Sequence, residues 1–141
     1  EVYQRPASLF VAGFIGSPPM NVLDARIDAG GQGIGDRVAL PGGAAFTLPQ
    51  PRPDLAGRPV KLGVRPEHLS ITADGTLAVT VELVEALGAD TVVYGRLPDG
   101  EALVVRIAGL PICREGETLR LSAAPEALHL FDAETGRRID D

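Results

Sequence analysis

From residue 21 onward, apolar and polar residues alternate in short runs instead of recurring every three or four positions. Val22-Leu23-Asp24-Ala25-Arg26-Ile27 and Leu77-Ala78-Val79-Thr80-Val81-Glu82-Leu83 carry the two-residue period of a strand with one buried face. Aliphatic, β-branched runs of this kind fall at Val22–Ile27, Val38–Leu40, Phe46–Leu48, Val60–Val64, Leu69–Thr72, Leu77–Leu83, Thr91–Leu97, Leu103–Ile107, Leu119–Leu121 and Leu128–Phe131. Clusters such as Leu40-Pro41-Gly42-Gly43 and Leu97-Pro98-Asp99-Gly100 separate them and suit tight connections. The pattern predicts an all-β barrel or sandwich. Pro49, Pro51 and Pro53 interrupt it as a loop or extended linker.

The first twenty residues read differently. Pro6 suits a first helical turn, and Gly16-Ser17-Pro18-Pro19 suits a stop. One short helix is expected between them, with Leu9, Phe10, Phe14 and Ile15 on an apolar stripe set by i, i+4 neighbours. A helix this short is stable only when packed. The stripe fits docking on its own domain or on a domain further upstream, so residues 1–20 are expected to be a junction and residues 21–141 the barrel.

An internal repeat divides that barrel. Gly57-Arg58-Pro59-Val60-Lys61-Leu62-Gly63-Val64-Arg65-Pro66-Glu67-His68-Leu69-Ser70-Ile71 aligns without a gap onto Gly116-Glu117-Thr118-Leu119-Arg120-Leu121-Ser122-Ala123-Ala124-Pro125-Glu126-Ala127-Leu128-His129-Leu130. Each copy follows a Leu-Pro-x-Gly turn, at Leu40 and at Leu97. Two half-units are expected, about 21–75 and 76–132, followed by an acidic tail over 133–141. Whether they make two small barrels or interlace into one is open at this level. Proline ends ladder pairing and presets a turn, so the shared Pro-Glu element has a structural meaning. Exposed Glu67 and Glu126 contacting another chain is the other reading.

Composition narrows the function. The chain has 141 residues, 45% of them apolar, with Gly 17, Pro 12, Phe 4, Tyr 2 and no Trp, a turn-rich profile with few aromatics. It starts at Glu1 with its one methionine at Met20, so it is expected to be part of a longer protein. Thirteen basic residues (Lys+Arg 13) against nineteen acidic (Asp+Glu 19) give a net charge of -6, which disfavours a nucleic-acid-binding surface. A barrel that binds single-stranded nucleic acid would also need stacking aromatics and a basic groove. A lone cysteine, Cys113, rules out an internal disulfide, and the default compartment is the cytosol.

Candidate chemistry is sparse. The single lysine, Lys61, is followed by Leu62-Gly63, so no G-x-x-x-x-G-K-[ST] loop exists in the chain. Gly30-Gly31-Gln32-Gly33-Ile34-Gly35 lacks the spacing of a dinucleotide loop and reads as a turn. His68, His129 and Cys113 share no zinc-like spacing, and no serine lies in a G-x-S-x-G elbow. Neither catalysis nor a metal is expected of this stretch.

Three motifs in order carry a resemblance. Residues Glu1 to Asn21, around Phe10-Val11-Ala12-Gly13-Phe14-Ile15-Gly16-Ser17-Pro18, are similar to the segment joining the nucleotide-binding and regulatory domains of maltose-type ABC importer ATP-binding subunits. Gly63-Val64-Arg65-Pro66-Glu67-His68-Leu69 resembles that family's regulatory-domain motif, and Leu128-His129-Leu130-Phe131-Asp132 its closing strand. Leu87-Gly88-Ala89-Asp90, Leu103-Val104-Val105-Arg106 and Phe131-Asp132-Ala133-Glu134-Thr135-Gly136 are most similar to the glycerol-3-phosphate importer branch.

The resemblance implies an oligonucleotide-binding-like β-barrel of the transport-associated type, cytoplasmic and behind an ATPase domain at the inner face of the membrane. It implies a homodimer of such domains, permease subunits as indirect partners, and in some members a cytosolic signal protein. ATP and Mg would belong to the upstream domain; no cofactor is expected here. Arg65, Glu67, His68 and Glu126 are the expected interaction surface. A different class stays open: a small oxyanion-binding barrel of the molybdate type, with backbone amides and serine hydroxyls as ligands.

Overall fold

The computed structural model describes residues 19–28, 36–109 and 113–139. Within them lie ten strands: β1 Asn21–Asp28, β2 Arg37–Ala39, β3 Ala45–Thr47, β4 Pro59–Val64, β5 Ser70–Ile71, β6 Leu77–Ala86, β7 Asp90–Arg96, β8 Ala102–Ala108, β9 Thr118–Ser122 and β10 His129–Asp132. Three 3-10 turns, Pro53–Leu55, Pro66–His68 and Pro125–Ala127, complete the list, so the chain is all-β as its alternation predicts. The junction helix expected around Leu9, Phe10, Phe14 and Ile15 falls outside the described residues. No helix among those described is long and apolar enough to cross a membrane.

The strands form two five-stranded antiparallel sheets ordered β10-β4-β1-β2-β3 and β5-β9-β6-β7-β8. The order states the internal repeat in space: β1, β2, β3 and β4 correspond to β6, β7, β8 and β9. The closing strands have changed places. β5 follows β4 but pairs with β9, in register Ser70↔Ser122 and Ile71↔Leu121, while β10 pairs with β4 from His129↔Gly63 to Asp132↔Val60. The half-units therefore interlace.

Both exchanges run through a Pro-Glu turn. Arg65 and Ala124 hold the same extended backbone (φ -72, ψ 144 and φ -64, ψ 142), and the next proline starts a 3-10 turn. His68 N–H donates to Arg65 O at 2.9 Å, and Ala127 N–H to Ala124 O at 2.9 Å. Proline forces its predecessor toward extended geometry and fixes its own φ for the turn. The same three steps redirect each chain out of its own sheet and into the other. The Leu-Pro-x-Gly hairpins also match: Gly43 and Gly100 hold φ 97 and φ 91, a left-handed geometry in which a Cβ costs about 1 kcal/mol or more.

Two side-chain latches close the sheets on each other. Asn21, at the start of β1, donates from Nδ2 to Val104 O (2.8 Å) and accepts Val104 N–H on Oδ1 (2.9 Å), covering one outward backbone pair of edge strand β8. Thr76, just before β6, does the same to edge strand β3: its hydroxyl donates to Ala45 O (2.7 Å) and accepts Ala45 N–H (3.3 Å). Unpaired strand edges invite association. Each half-unit thus caps the other's edge.

The inward faces meet in one core built from Leu23, Ile27, Val38, Val60, Leu62, Val64, Leu77, Val93, Leu103, Val105, Leu121 and Leu130, with smaller residues between them. A second small layer lies on the opposite face of β4, where Met20 packs on Phe131. Gly63 makes room for it: a Cβ there would meet Met20 Sδ at 2.5 Å and Phe131 Cε2 at 2.9 Å. Arg138 lies over the Phe131 ring, 5.5 Å from its centroid, and bridges to Phe131 through the backbone.

β6 departs from its sequence pattern. Strict alternation from Leu77, Val79 and Val81 would carry Leu83 inward. A bulge between Val81 and Leu83 instead turns Leu83 out, 51% exposed, and brings Val84 against the core.

Candidate functional site

The four residues expected to form an interaction surface do not gather in one place. Glu67 and His68 are exposed on the turn Pro66–His68, which lies against β8. Glu126 is exposed on the turn Pro125–Ala127, and Pro125 shares an open cleft of 250 Å³ with Ala45, Phe46 and Thr47 on β3. The Pro-Glu turns thus sit at different sheet edges, as the interlaced topology requires.

Arg65 corrects the sequence reading. It is 1% exposed, among the largest fully buried side chains, and engaged within the chain. The alternation of β4, continued by its extended backbone, puts Arg65 on the side of Gly63 rather than in solvent. A guanidinium this deep holds structure, because exposing it to a partner would require opening the fold around it.

Among the described residues, no group of three or more His, Cys, Asp or Glu is placed to hold a metal ion. His129 is 4% exposed, and its Nδ1 lies 2.5 Å from Arg138 Nη2. Thr72 donates to the Ser122 hydroxyl at 3.4 Å, a long contact with no histidine in it. Burial and the nearby Glu117 push the Cys113 thiol upward, away from the thiolate a nucleophile needs.

The outer face of the second sheet is different in kind. Register aligns Leu83, Tyr94 and Val104 in one row across β6, β7 and β8, and Glu85, Val92 and Arg106 in the next. Leu83 is exposed, Tyr94 and Val104 are half-buried, and Val92 is 2% exposed at the base. Charges rim the row: Arg96 pairs with Glu82 (3.3 Å), Arg106 with Asp90 (2.8 Å), and Tyr94 donates to Glu85 Oε1 at 3.4 Å. Burial, then Glu85, raises the Tyr94 phenol above its usual value, so the hydroxyl stays a donor at neutral pH. The corresponding face of the first sheet carries the Asp24–Lys61 ion pair and Arg26. Sequence reasoning passed over Leu83 and Tyr94 because the bulge that exposes the row leaves no signature in the residue pattern.

Comparison with known proteins gives this interlaced pair of sheets its relatives. Residues 62–131 match the TOBE domain and residues 16–69 the MalK OB fold domain. The chain is 46% identical over 142 residues to the sn-glycerol-3-phosphate import ATP-binding protein UgpC of Chromobacterium violaceum, covering 99% of this chain and 37% of that protein. Relatives of the same name in Cereibacter sphaeroides (48%) and Escherichia coli (43%) are matched over 99% of this chain and 37% and 38% of their own lengths. The chain therefore spans little more than a third of the curated relatives it matches. A solved structure of similar fold is the cytoplasmic molybdate-binding protein ModG, with TM-score 0.64, 16% identity, and coverage of 78% of this chain and 94% of that one. By these two matches, which together run from residue 16 to residue 131, the chain carries the MalK OB fold domain and the TOBE domain.

Proposed function

We propose that this chain is the regulatory and dimerisation domain of an ATP-binding subunit of an importer for sugars or glycerol-3-phosphate, acting in the cytoplasm at the membrane's inner face. The observation that carries the reading is the 46% identity to a glycerol-3-phosphate import ATP-binding protein over 99% of the chain. A domain that stays paired with its twin keeps two attached ATPase domains close when they separate. Their reassociation is then intramolecular, at an effective concentration on the order of millimolar for short tethers. ATP hydrolysis belongs to the parent subunit, and the domain contributes association. Permease subunits are indirect partners, and a cytosolic signal protein would reach the complex through the domain's exposed faces.

A chimera tests the role. This chain is grafted in place of the matching region of the Escherichia coli relative, and glycerol-3-phosphate uptake is measured in cells lacking that relative. Uptake near the parental rate supports the reading; an assembled, ATP-hydrolysing chimera that transports nothing overturns it. The oxyanion-binding alternative has the fold likeness to a molybdate-binding protein behind it. Calorimetry of the chain with molybdate and with glycerol-3-phosphate decides it: saturable heat at micromolar molybdate would make binding, not pairing, the primary role.

A further inference from the structure

We infer that Met20 and Asn21 form a clamp that fixes the direction in which the polypeptide enters the barrel, so that no swivel lies between Pro19 and β1. The clamp concerns only how this chain is held, and it stands apart from the regulatory and oxyanion-binding readings above. For a domain with polypeptide attached ahead of it, such a clamp decides whether a motion of that polypeptide turns the barrel or is lost in a loose tether.

The boundary between exposed and buried chain is one residue wide. Pro19 is exposed, whereas Met20 is 5% and Asn21 7% exposed, in the range of the core. A segment that is not tied down frays, because opening it breaks few contacts. These two residues are tied to three separate strands. Met20 occupies the niche beside Gly63 on β4, where a Cβ would meet its Sδ at 2.5 Å and its Cγ at 3.4 Å, and it packs on Phe131 of β10. Asn21 bonds both outward backbone groups of Val104 on β8, at 2.8 and 2.9 Å. β4 and β10 lie in the first sheet, while β8 is the edge of the second. Met20 is therefore held on the outer face of one sheet, and Asn21 on the side that faces the other. One attachment leaves a chain free to rotate about it; two on opposite sides of the backbone do not.

Both jaws are braced from behind. Phe131 is 0% exposed beneath Arg138, and the segment carrying Arg138 returns along β10: Ile139 N–H donates to Leu130 O (3.0 Å), and Asp132 N–H to Arg137 O (2.7 Å). Arg52 Nη1 donates to Ile139 O at 2.8 Å and fixes that segment from the other side. Val104 is held in register by Tyr94 of β7. The second half-unit supplies a comparison. There Gly63 is matched by Ser122, and the residues leading into β6 are Gly75, which has no side chain, and Thr76, an exposed residue whose hydroxyl contacts Ala45. An exposed hydroxyl serves at the internal connection, whereas the point of entry carries a buried apolar plug and a buried amide. The plug is thus no requirement of the strand arrangement, which the two half-units share.

Hydrogen exchange and spin labelling of the whole chain test the clamp, with circular dichroism confirming that each variant is folded. The Val104 amide donates to Asn21 Oδ1, so its exchange reports how often the clamp opens, and the adjacent Val105, opposite Val93 on β7, is the reference. Met20→Ala leaves the Asn21 side chain untouched. It is nonetheless expected to raise the exchange of Val104 relative to Val105 at least about tenfold, because plug and amide open together. A ratio unchanged by Met20→Ala means that the two residues hold independently, and overturns the clamp. For the second measurement a nitroxide is placed at exposed position 19 by Pro19→Cys, or at exposed position 80 on β6 by Thr80→Cys, each in a Cys113→Ser background. With overall tumbling slowed by sucrose, both sites are expected to give restricted line shapes. Met20→Ala combined with Asn21→Ala is expected to add a fast nanosecond component at position 19 and none at position 80. A mobile spectrum at position 19 in the otherwise unaltered chain overturns the proposal, as does a restricted one that persists in the double variant.

Discussion

Replacing Gly63 by alanine tests the packing that supports the Gly63-Val64-Arg65-Pro66 motif. The new Cβ would lie 2.5 Å from Met20 Sδ and 2.9 Å from Phe131 Cε2, where ordinary contact begins at 3.4 Å. Neither neighbour moves freely: Met20 is 5% exposed, Phe131 is 0% exposed and lies beneath Arg138, and β4 is held in register by β1 and β10. Overpacking of this kind costs about 1–3 kcal/mol, and two simultaneous close contacts argue for ~2. For a chain of this size, that is a fall in Tm of about 8 °C. Calorimetry or urea unfolding followed by circular dichroism measures it, with the urea slope expected to be unchanged. The decisive comparison is the same substitution in a Met20→Ala background. Removing the sulfur removes the shorter contact, so the penalty for Gly63→Ala should fall by ~1 kcal/mol or more, a coupling expected only between touching groups. Equal penalties in both backgrounds would refute the argument that Met20 occupies the space glycine leaves.

Asn21→Ala strands the outward N–H and C=O of Val104 and should cost about 1–3 kcal/mol in chemical denaturation. Thr76→Ala should cost less, because its contacts with Ala45 are exposed, and the two losses should add. Asp132 is held below its usual carboxyl value of 3.8, chiefly by the backbone N–H groups of Thr135 and Glu134 that donate to it. A lowered folded-state value means its stabilisation is complete above 3.8 and disappears as pH falls further, so wild type and Asp132→Asn should converge in stability on acidification. Asp24→Asn, which removes an exposed partner of Lys61, should change stability by less than about 1 kcal/mol.

The sequence pattern announced each strand because burial of one face imposes a two-residue period that residues display directly. It announced the repeat for the same reason. It did not announce the exchange of β5 and β10, since a closing strand reads identically whichever sheet receives it; the choice depends on where a Pro-Glu turn points in three dimensions. The bulge in β6 was equally silent: Leu77, Val79, Val81 and Leu83 alternate perfectly until the backbone inserts a residue. Arg65 misled for an opposite reason. Charge predicts exposure on average, and this arginine is enclosed beside Gly63. Asn21 was placed at the start of the barrel without a role, because covering the backbone of Val104 depends on a contact between residues far apart in sequence.

The exchanged closing strands also set an order of events during synthesis. While the ribosome is still making the second half, β4 has β1 on one side and an open edge on the other, and its missing neighbour is encoded at His129–Asp132. The first half therefore waits with an aliphatic strand edge exposed until nearly the whole domain has emerged, an interval of several seconds at about 5–20 residues per second. Completion then comes in chain order, with β9 available to β5 first and β10 to β4 after it. An uncovered strand edge is open to pairing with another chain, and β10 is the strand that covers this one.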